Sequence, residues 1–152
     1  MHISAKSDYA VRALLVLATN NSGGPMKGEA VATAQGMPTK FVENILIELK
    51  RSGLVRSQRG ATGGFLLGRP ASEITVADVM RAIDGPLAAV RGESPEAIGY
   101  EGSAANLQKV WIATRSSLRN VLEAVTLANI IDGDLPSSIE DLSQQPDAWH
   151  RR

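Results

Sequence analysis

The 152-residue sequence contains no cysteine. That absence excludes disulfides, thiolate metal sites, cysteine nucleophiles, thiol redox sensing and any all-cysteine iron–sulfur cluster. Histidine occurs only at the two ends, as His2 and His150, so no imidazole is available in the body of the chain for a zinc site or a Ser-His-Asp triad. Aromatic residues amount to 4%, too few for a nucleic-acid surface built on rows of stacked rings. No apolar run approaches the roughly 18 residues of a membrane span, and the opening residues lack the charged-then-apolar pattern of a signal peptide. A cytoplasmic protein without a membrane partner is expected. The carboxylate pair Asp132 and Asp134 sits in a turn without the further ligands of a calcium loop. No catalytic constellation, metal site or cofactor is expected.

What is present fits one compact domain with an appended element: 43% of the residues are hydrophobic and 21% charged. The formal net charge of zero hides a division. Residues 1–70 hold nine Lys/Arg against four Asp/Glu, and residues 71–152 hold seven against twelve, so the halves carry +5 and −5. Such asymmetry fits a polyanion-binding segment joined to one with other work, or a chance clustering of solvated charge, and the motifs must decide.

Apolar spacing predicts a first helix capped by Ser7, with Ala10, Ala13, Leu14, Leu17 and Ala18 inward and an end near Asn20. A shorter helix covers about 27–35, with Val31 and Ala34 inward, and stops at Gly36. A third covers about 38–52. In it Phe41, Val42, Ile45, Leu46 and Leu49 form one stripe, while Lys40, Glu43, Asn44, Ile47, Glu48, Lys50 and Arg51 lie largely off it. The series Ala32, Gly36, Met37, then Val42 and Ile45, has the spacing of a helix-turn-helix. Two short strands, Leu54–Gln58 and Phe65–Gly68, flank the glycine-rich tip Arg59-Gly60-Ala61-Thr62-Gly63-Gly64. Helix-turn-helix plus hairpin makes a winged helix, although a plain flexible hairpin would use the same residues. A nucleotide-binding reading of the glycines fails, because no Gly-Lys-Ser/Thr follows and a strand, not a helix, comes next.

Thr75 is placed to cap a further helix with Val76, Val79, Met80 and Ile83 inward, broken at Gly85-Pro86. Residues 90–105 read as a long exposed loop. One long helix is then expected from about 105 to 131, its apolar face formed by Leu107, Trp111, Leu118, Val121, Leu122 and Val125 and continued by Leu127 and Ala128. A single helix of roughly 35 Å cannot bury that face on so small a domain, so it is expected to pack on its counterpart in a second subunit, with an ordinary core helix as the alternative. The polar tail from 132 reads as partly disordered, and Trp149 as an incidental residue or one docked on a neighbour. The expected class is mainly α, a winged helix-turn-helix domain with a two-stranded wing plus a long dimerisation helix. Its divisions are 1–85, a loop over 86–106, the helix over 107–131 and a flexible tail over 132–152.

The stretches Ser7-Asp8-Tyr9-Ala10-Val11-Arg12-Ala13-Leu14, Phe41-Val42-Glu43-Asn44-Ile45-Leu46, Leu49 to Ser57, Arg59-Gly60 through Gly63-Gly64-Phe65, and Ile74 to Val79 resemble, in order and spacing, the Rrf-two family of winged-helix transcription regulators. The likeness covers most of the chain and continues to Trp111 and Leu127-Ala128. It implies a homodimer crossed by its long helices, two winged helices facing a partly palindromic operator in double-stranded DNA, and a regulator, most simply a repressor. By that likeness Lys40, Glu43 and Asn44 present the recognition helix to the major groove and Arg59 enters the minor groove. The chemistry agrees: Lys40 suits a guanine edge or a phosphate, Asn44 adenine, Glu43 the amino group of cytosine, and Arg59 a narrow, strongly negative groove. Thr39 and Thr62 are further candidate DNA contacts. Lys6, Tyr9, Arg12, Lys27, Lys50, Arg51 and Arg56 are candidates for positioning on the backbone, or solvated surface.

Many members of that family hold an iron–sulfur cluster through three cysteines in the loop before the long helix, and the corresponding stretch here, 90–107, has none. Cluster-based sensing is not expected, and Asp8, near a position that supplies a ligand in some members, reads as a helix N-terminal charge. The loop could take a small metabolite or a partner protein, or DNA binding could be constitutive. A protein-interaction or metabolite-sensing module with weak or partner-dependent DNA binding is the alternative to the DNA-binding regulator.

Overall fold

The computed structural model describes residues 2–150. Helix α1 spans Ala5–Ala18, and its cap is Ser4 rather than the expected Ser7: the Ser4 hydroxyl oxygen accepts the Ser7 amide at 3.0 Å. Ser4 has the extended backbone a cap requires, whereas Ser7 lies within the first turn. The buried Ser7 hydroxyl donates to Asp84 at 2.7 Å, and the Ser4 hydroxyl donates to the same carboxylate at 2.8 Å. This ties the start of α1 to the end of α4 (Val76–Asp84).

Helices α2 (Gly28–Ala34) and α3 (Thr39–Arg51) follow close to their expected places. Gly36 has φ +60° in the turn between them, a conformation other L-residues rarely adopt. The turn is closed by the Met37 amide donating to the Ala32 carbonyl at 2.9 Å. Val42, Ile45, Leu46 and Leu49 are fully buried, as the 3.6-residue period requires. Phe41 departs from that stripe. It is 38% exposed and meets Tyr9 of α1 edge-on, with ring centroids 5.5 Å apart.

Strands β1 (Val55–Gln58) and β2 (Gly64–Leu67) pair antiparallel, from Val55 opposite Leu67 to Gln58 opposite Gly64. The far edge of β2 is also paired, because Phe65 and Met26 exchange both backbone hydrogen bonds, at 2.7 and 3.0 Å. The approach is so close that a Cβ on Gly64 would lie 2.3 Å from the Met26 carbonyl oxygen. The wing is therefore docked on the segment before α2 and does not hang free. Helix α4 begins with the expected Thr75 in a full capping box, in which the Asp78 carboxylate accepts the Thr75 amide.

The helix expected over 105–131 is two helices. α5 covers Leu107–Leu122 and α6 covers Leu127–Asp132. Between them the chain returns to the winged-helix domain: the Val76 amide donates to the Val125 carbonyl and the Leu127 amide to the Ile74 carbonyl, both at 2.9 Å. Thr126 then caps α6 in a second capping box with Asn129. Continuing the helix would break both pairs and leave Leu127, which is fully buried in the core beside Leu14, Leu46 and Ile74, in water. Residues 85–106 form a loop with short 3₁₀ turns at Pro95–Ala97 and Gly102–Ala104. The tail forms a helix where a flexible segment is expected: α7, Ser137–Ser143, starts after Pro136, which suits a helix N-terminus. The Trp149 indole, 83% exposed, donates to the Ser143 carbonyl at 2.6 Å. Among the described residues no helix is long and apolar enough to cross a membrane.

Two outcomes are expected. Thr126→Ala removes an N-cap oxygen and should lower unfolding free energy by about 1 kcal/mol in urea titration. Gly64→Ala places a methyl group on the Met26 carbonyl; wing amides should lose hydrogen-exchange protection while those of α3 keep theirs.

Candidate nucleic-acid interface

Burying one stripe of α3 leaves the opposite face in water. Thr39, Lys40, Glu43, Asn44, Ile47, Lys50 and Arg51 are all exposed on it. Pro38 at the cap position offers no side-chain acceptor, so the first-turn amides of α3 have no side-chain cap. Lys50 and Arg51 sit in the last turn, where cations also complement the helix dipole. The Glu43 stem lies against the start of α2: a Cβ on Gly28 would come within 2.8 Å of Glu43 Cγ. Gly28 thus sets the close approach of the two helices at the exposed face.

The wing tip presents Arg59, Ala61 and Thr62 to solvent, closed by the Gly63 amide donating to the Gly60 carbonyl at 3.0 Å. The Lys27 ammonium donates to that same Gly60 carbonyl at 3.1 Å, joining the start of α2 to the tip. A groove of about 520 Å³ between them is lined by Lys27, Glu29, Glu43, Gln58, Arg59 and Phe65, among others. Gln58 belongs to this surface and went unnoticed in the sequence, where nothing distinguishes it from any other polar strand residue.

The structure divides the expected DNA-binding cations by what they touch. Lys40, Lys50, Arg51, Arg56 and Arg59 are exposed and have no ion pair or hydrogen bond among the described residues. On α1 the situation is different. Lys6 pairs with Glu48 at 2.8 Å. Arg12 pairs with Asp8 at 3.3 Å, hydrogen-bonds Gln35, and stands 5.3 Å from the Tyr9 ring centroid. Tyr9 in turn packs on Phe41. Lys6, Tyr9 and Arg12 therefore join α1 to the helix-turn-helix, and Asp8 is, as expected, an acid in the first turn of a helix.

Helix α5 stands apart, for none of its residues is buried. Leu107, Trp111, Leu118, Val121 and Leu122 are half-buried, and Val110 and Ile112, absent from the expected seam, are 53% and 38% exposed. Val125 does not belong to this face: it lies beyond the end of α5, 7% exposed, in the return to the winged-helix domain. The loop is held to α5 by the Gln108 amide, which donates to the Ile98 carbonyl at 2.8 Å, and by the Trp111 indole donating to the Tyr100 hydroxyl at 3.2 Å. Glu96 pairs with Arg115. A hydrogen bond from its own backbone amide, and then the Arg115 guanidinium, hold the Glu96 carboxyl below its ordinary value. Any stability from that contact is present above the ordinary glutamate range and is lost as the pH falls through the lowered value.

The family described as "Iron-dependent Transcriptional regulator" (Rrf2) matches residues 3–133. The chain is 48% identical to Rv1287 of Mycobacterium tuberculosis strain H37Rv, named as a candidate HTH-type transcriptional regulator, over 94% of this chain and 89% of that one. It superposes on the structure of CymR (YrzC), the global cysteine regulator of Bacillus subtilis, with a TM-score of 0.72 at 29% identity, covering 88% and 98% of the two chains. The corresponding values for T. potens IscR are 0.70, 29%, 88% and 88%.

The iron in the family's description finds no matching donor set here. The chain has no thiolate, and among the described residues no three His, Asp or Glu side chains are grouped to hold an ion. In the loop, Glu96 is already engaged by Arg115. A helix-turn-helix with a docked wing, a match spanning most of the sequence, and solved relatives of the same fold lead to one conclusion: the chain belongs to the Rrf2 family of transcriptional regulators.

Proposed function

We propose that this chain acts as a homodimer that reads a partly palindromic operator in duplex DNA and represses transcription from it, with no iron–sulfur cluster. The observation that carries the reading is the division of cations. Those on the outer face of α3 and on the wing have no counter-ion among the described residues, whereas those on α1 are neutralised within the fold. A convex basic face with a helix beside a hairpin suits the major groove and the adjoining minor groove. Lys40, Glu43 and Asn44, with Thr39, are the base-reading set, and Arg59 and Thr62 belong to the wing. Lys50, Arg51 and Arg56 contact phosphates, and Lys27 braces the wing tip through Gly60.

Dimerisation rests on α5. A helix of 16 residues with apolar side chains on it and none buried in its own chain leaves a face that an equivalent helix would cover. Leu107, Leu118 and Val121 form a half-buried apolar edge that the more open Val110 extends.

Selection of bound sequences from random duplex DNA, run at two salt concentrations, tests the reading. A preferred sequence with two related half-sites is expected, with affinity falling steeply as salt rises. Binding that is salt-sensitive without sequence preference, or no binding, would favour the interaction-module reading. Asn44→Ala and Lys40→Ala should relax base preference at major-groove positions and Arg59→Ala at a minor-groove position, each by about 1–3 kcal/mol; Lys50→Ala should weaken all sequences alike and reduce the salt slope by about one. Val110→Asp changes a residue already half in water, so the protomer should fold while the seam gains an unpaired charge. Sedimentation at micromolar concentration should then show a monomer with poor operator affinity; a persistent dimer would refute the seam.

A further inference from the structure

Beside the DNA-facing surface, the molecule has a second concentration of positive charge, at the junction of α4, the loop and α5. A cavity of about 240 Å³ there is walled by Arg81 of α4, Arg115 and Arg119 of α5, and Ser94, over an apolar floor that includes Pro86, Leu87 and Pro95. No acidic side chain lines it. The counter-ions stand outside the lining: Arg115 pairs with Glu96, and Glu123 serves both Arg81 and Arg119, the latter at 3.9 Å. Those two carboxylates are 58% and 46% exposed, whereas the Arg115 side chain is only 14% exposed, the least of any charged group in the ion pairs of the described residues. Three guanidinium groups thus converge where two rim carboxylates balance only part of their charge.

The loop that forms one wall holds the only two non-glycine residues with left-handed backbone among those described, Ala88 at φ 54° and Arg91 at φ 53°. Residues keep so disfavoured a conformation where the surroundings fix it, often at ligand sites. Arg115 and Arg119 lie one turn apart on α5. At about 100° per residue their strip is roughly a quarter-turn from Leu107, Leu118 and Val121, so a seam on that edge leaves the arginines in place.

We propose that this cavity binds a small organic anion carrying a carboxylate, sulfonate or phosphate group. The planar forks of Arg115, Arg119 and Arg81 match the oxygens of such a group, Ser94 offers a hydroxyl, and the prolines and leucine take the body of the molecule. Glu96 is a built-in competitor that occupies Arg115 while the site is empty of ligand. A bound anion also draws on Arg81, whose partner Glu123 lies just after α5, and so acts on the contact between α4 and α5. Because α4 is tied to the start of α1 through Asp84, the site lies next to the winged helix. Its effect on transcription rests on the operator-binding reading, but occupancy of the cavity does not.

The test is thermal unfolding of the full chain during titration with inorganic phosphate, succinate and citrate, at ionic strength held constant with sodium chloride so that general screening does not vary. At least one of these should raise Tm, by about 3–5 °C at tenfold its dissociation constant and logarithmically with concentration beyond it. Arg119→Gln, at a half-exposed position that should not disturb folding, is expected to weaken the apparent affinity about tenfold, and Arg115→Gln by at least as much. Glu96→Gln should strengthen it several-fold, because the competitor is gone, and Arg59→Gln should leave it unchanged. The proposal is overturned if no probe stabilises beyond chloride, if Glu96→Gln weakens binding, or if Arg59→Gln abolishes it while Arg119→Gln does not, which would place the anion on the DNA-facing surface. Operator affinity measured with and without saturating probe is scored separately. A chain that takes up the anion but binds no DNA refutes the transcriptional role and leaves the site standing.

Discussion

Two backbone hydrogen bonds join Val76 to Val125 and Ile74 to Leu127, and much of the architecture follows from them. They bring the chain back to the winged-helix domain after a long excursion, so α5 leaves and returns at fixed points. They lie between the two capping boxes, Thr75 with Asp78 and Thr126 with Asn129, each of which starts a helix beside the pairing. Buried backbone groups must find partners, and here that requirement ends one helix and starts the next. It also places Leu127 in the same core as Leu14 and Leu46. A segment that would otherwise belong to the projecting helix is thereby part of the reading domain.

The winged helix was largely legible in the sequence because its signals are local. Gly36 marks the turn, the burial stripe of α3 has one period, and Gly63 and Gly64 sit between two short apolar runs, so propensity and pattern agree. The return of the chain was not. Leu118 to Ala128 keeps a helical rhythm through Val121, Leu122 and Val125, and nothing in that spacing says that Val125 will offer its carbonyl to Val76. Thr126 with Asn129 three residues on was the available sign of a helix start, but its weight depended on the distant segment at Ile74 to Val76. Ser4 and Ser7 pose the same problem: both can cap and both reach Asp84, and the backbone decides, since Ser4 is extended while Ser7 lies within the first turn. Sequence named Lys6 and Arg12 as candidate DNA contacts by charge; Asp8 lies one turn before Arg12 on the same helix, but only the fold showed Glu48 beside Lys6 and Gln35 beside Arg12.

Charge division follows from the same geometry. A helix that must bury Val42, Ile45, Leu46 and Leu49 can place its cations only on the opposite side, where no other element of the protomer reaches Lys40, Lys50 or Arg51. Helix α1, by contrast, lies against α3, so its cations meet acids and carbonyls from the neighbouring helices. Unpaired surface cations cost little in water and keep their full field for a polyanion. The unpaired cations of the first 70 residues are therefore concentrated on the face that has no other structural task, with Glu43 among them, while Lys6 and Arg12 hold the domain together.

Helix α5 carries two different surfaces, and their separation matters for how the parts communicate. One edge is apolar and half-buried. The other is cationic and faces α4 across a cavity. Events at these edges meet at Glu123, where the Arg81 and Arg119 pairs converge just before the chain returns to the core through Val125. Movement of α5 relative to α4 would have to rearrange that shared carboxylate, while the paired backbone at Val76 and Leu127 stays fixed. Because Asp84 ties the other end of α4 to Ser4 and Ser7, rotation of α4 would be felt at the start of α1 and through it at Tyr9, which supports Phe41 at the head of α3. Coupling through such a path requires α4 to have two discrete arrangements, and its ion-paired contact with α5 through Arg81 and Glu123 lies outside the buried core.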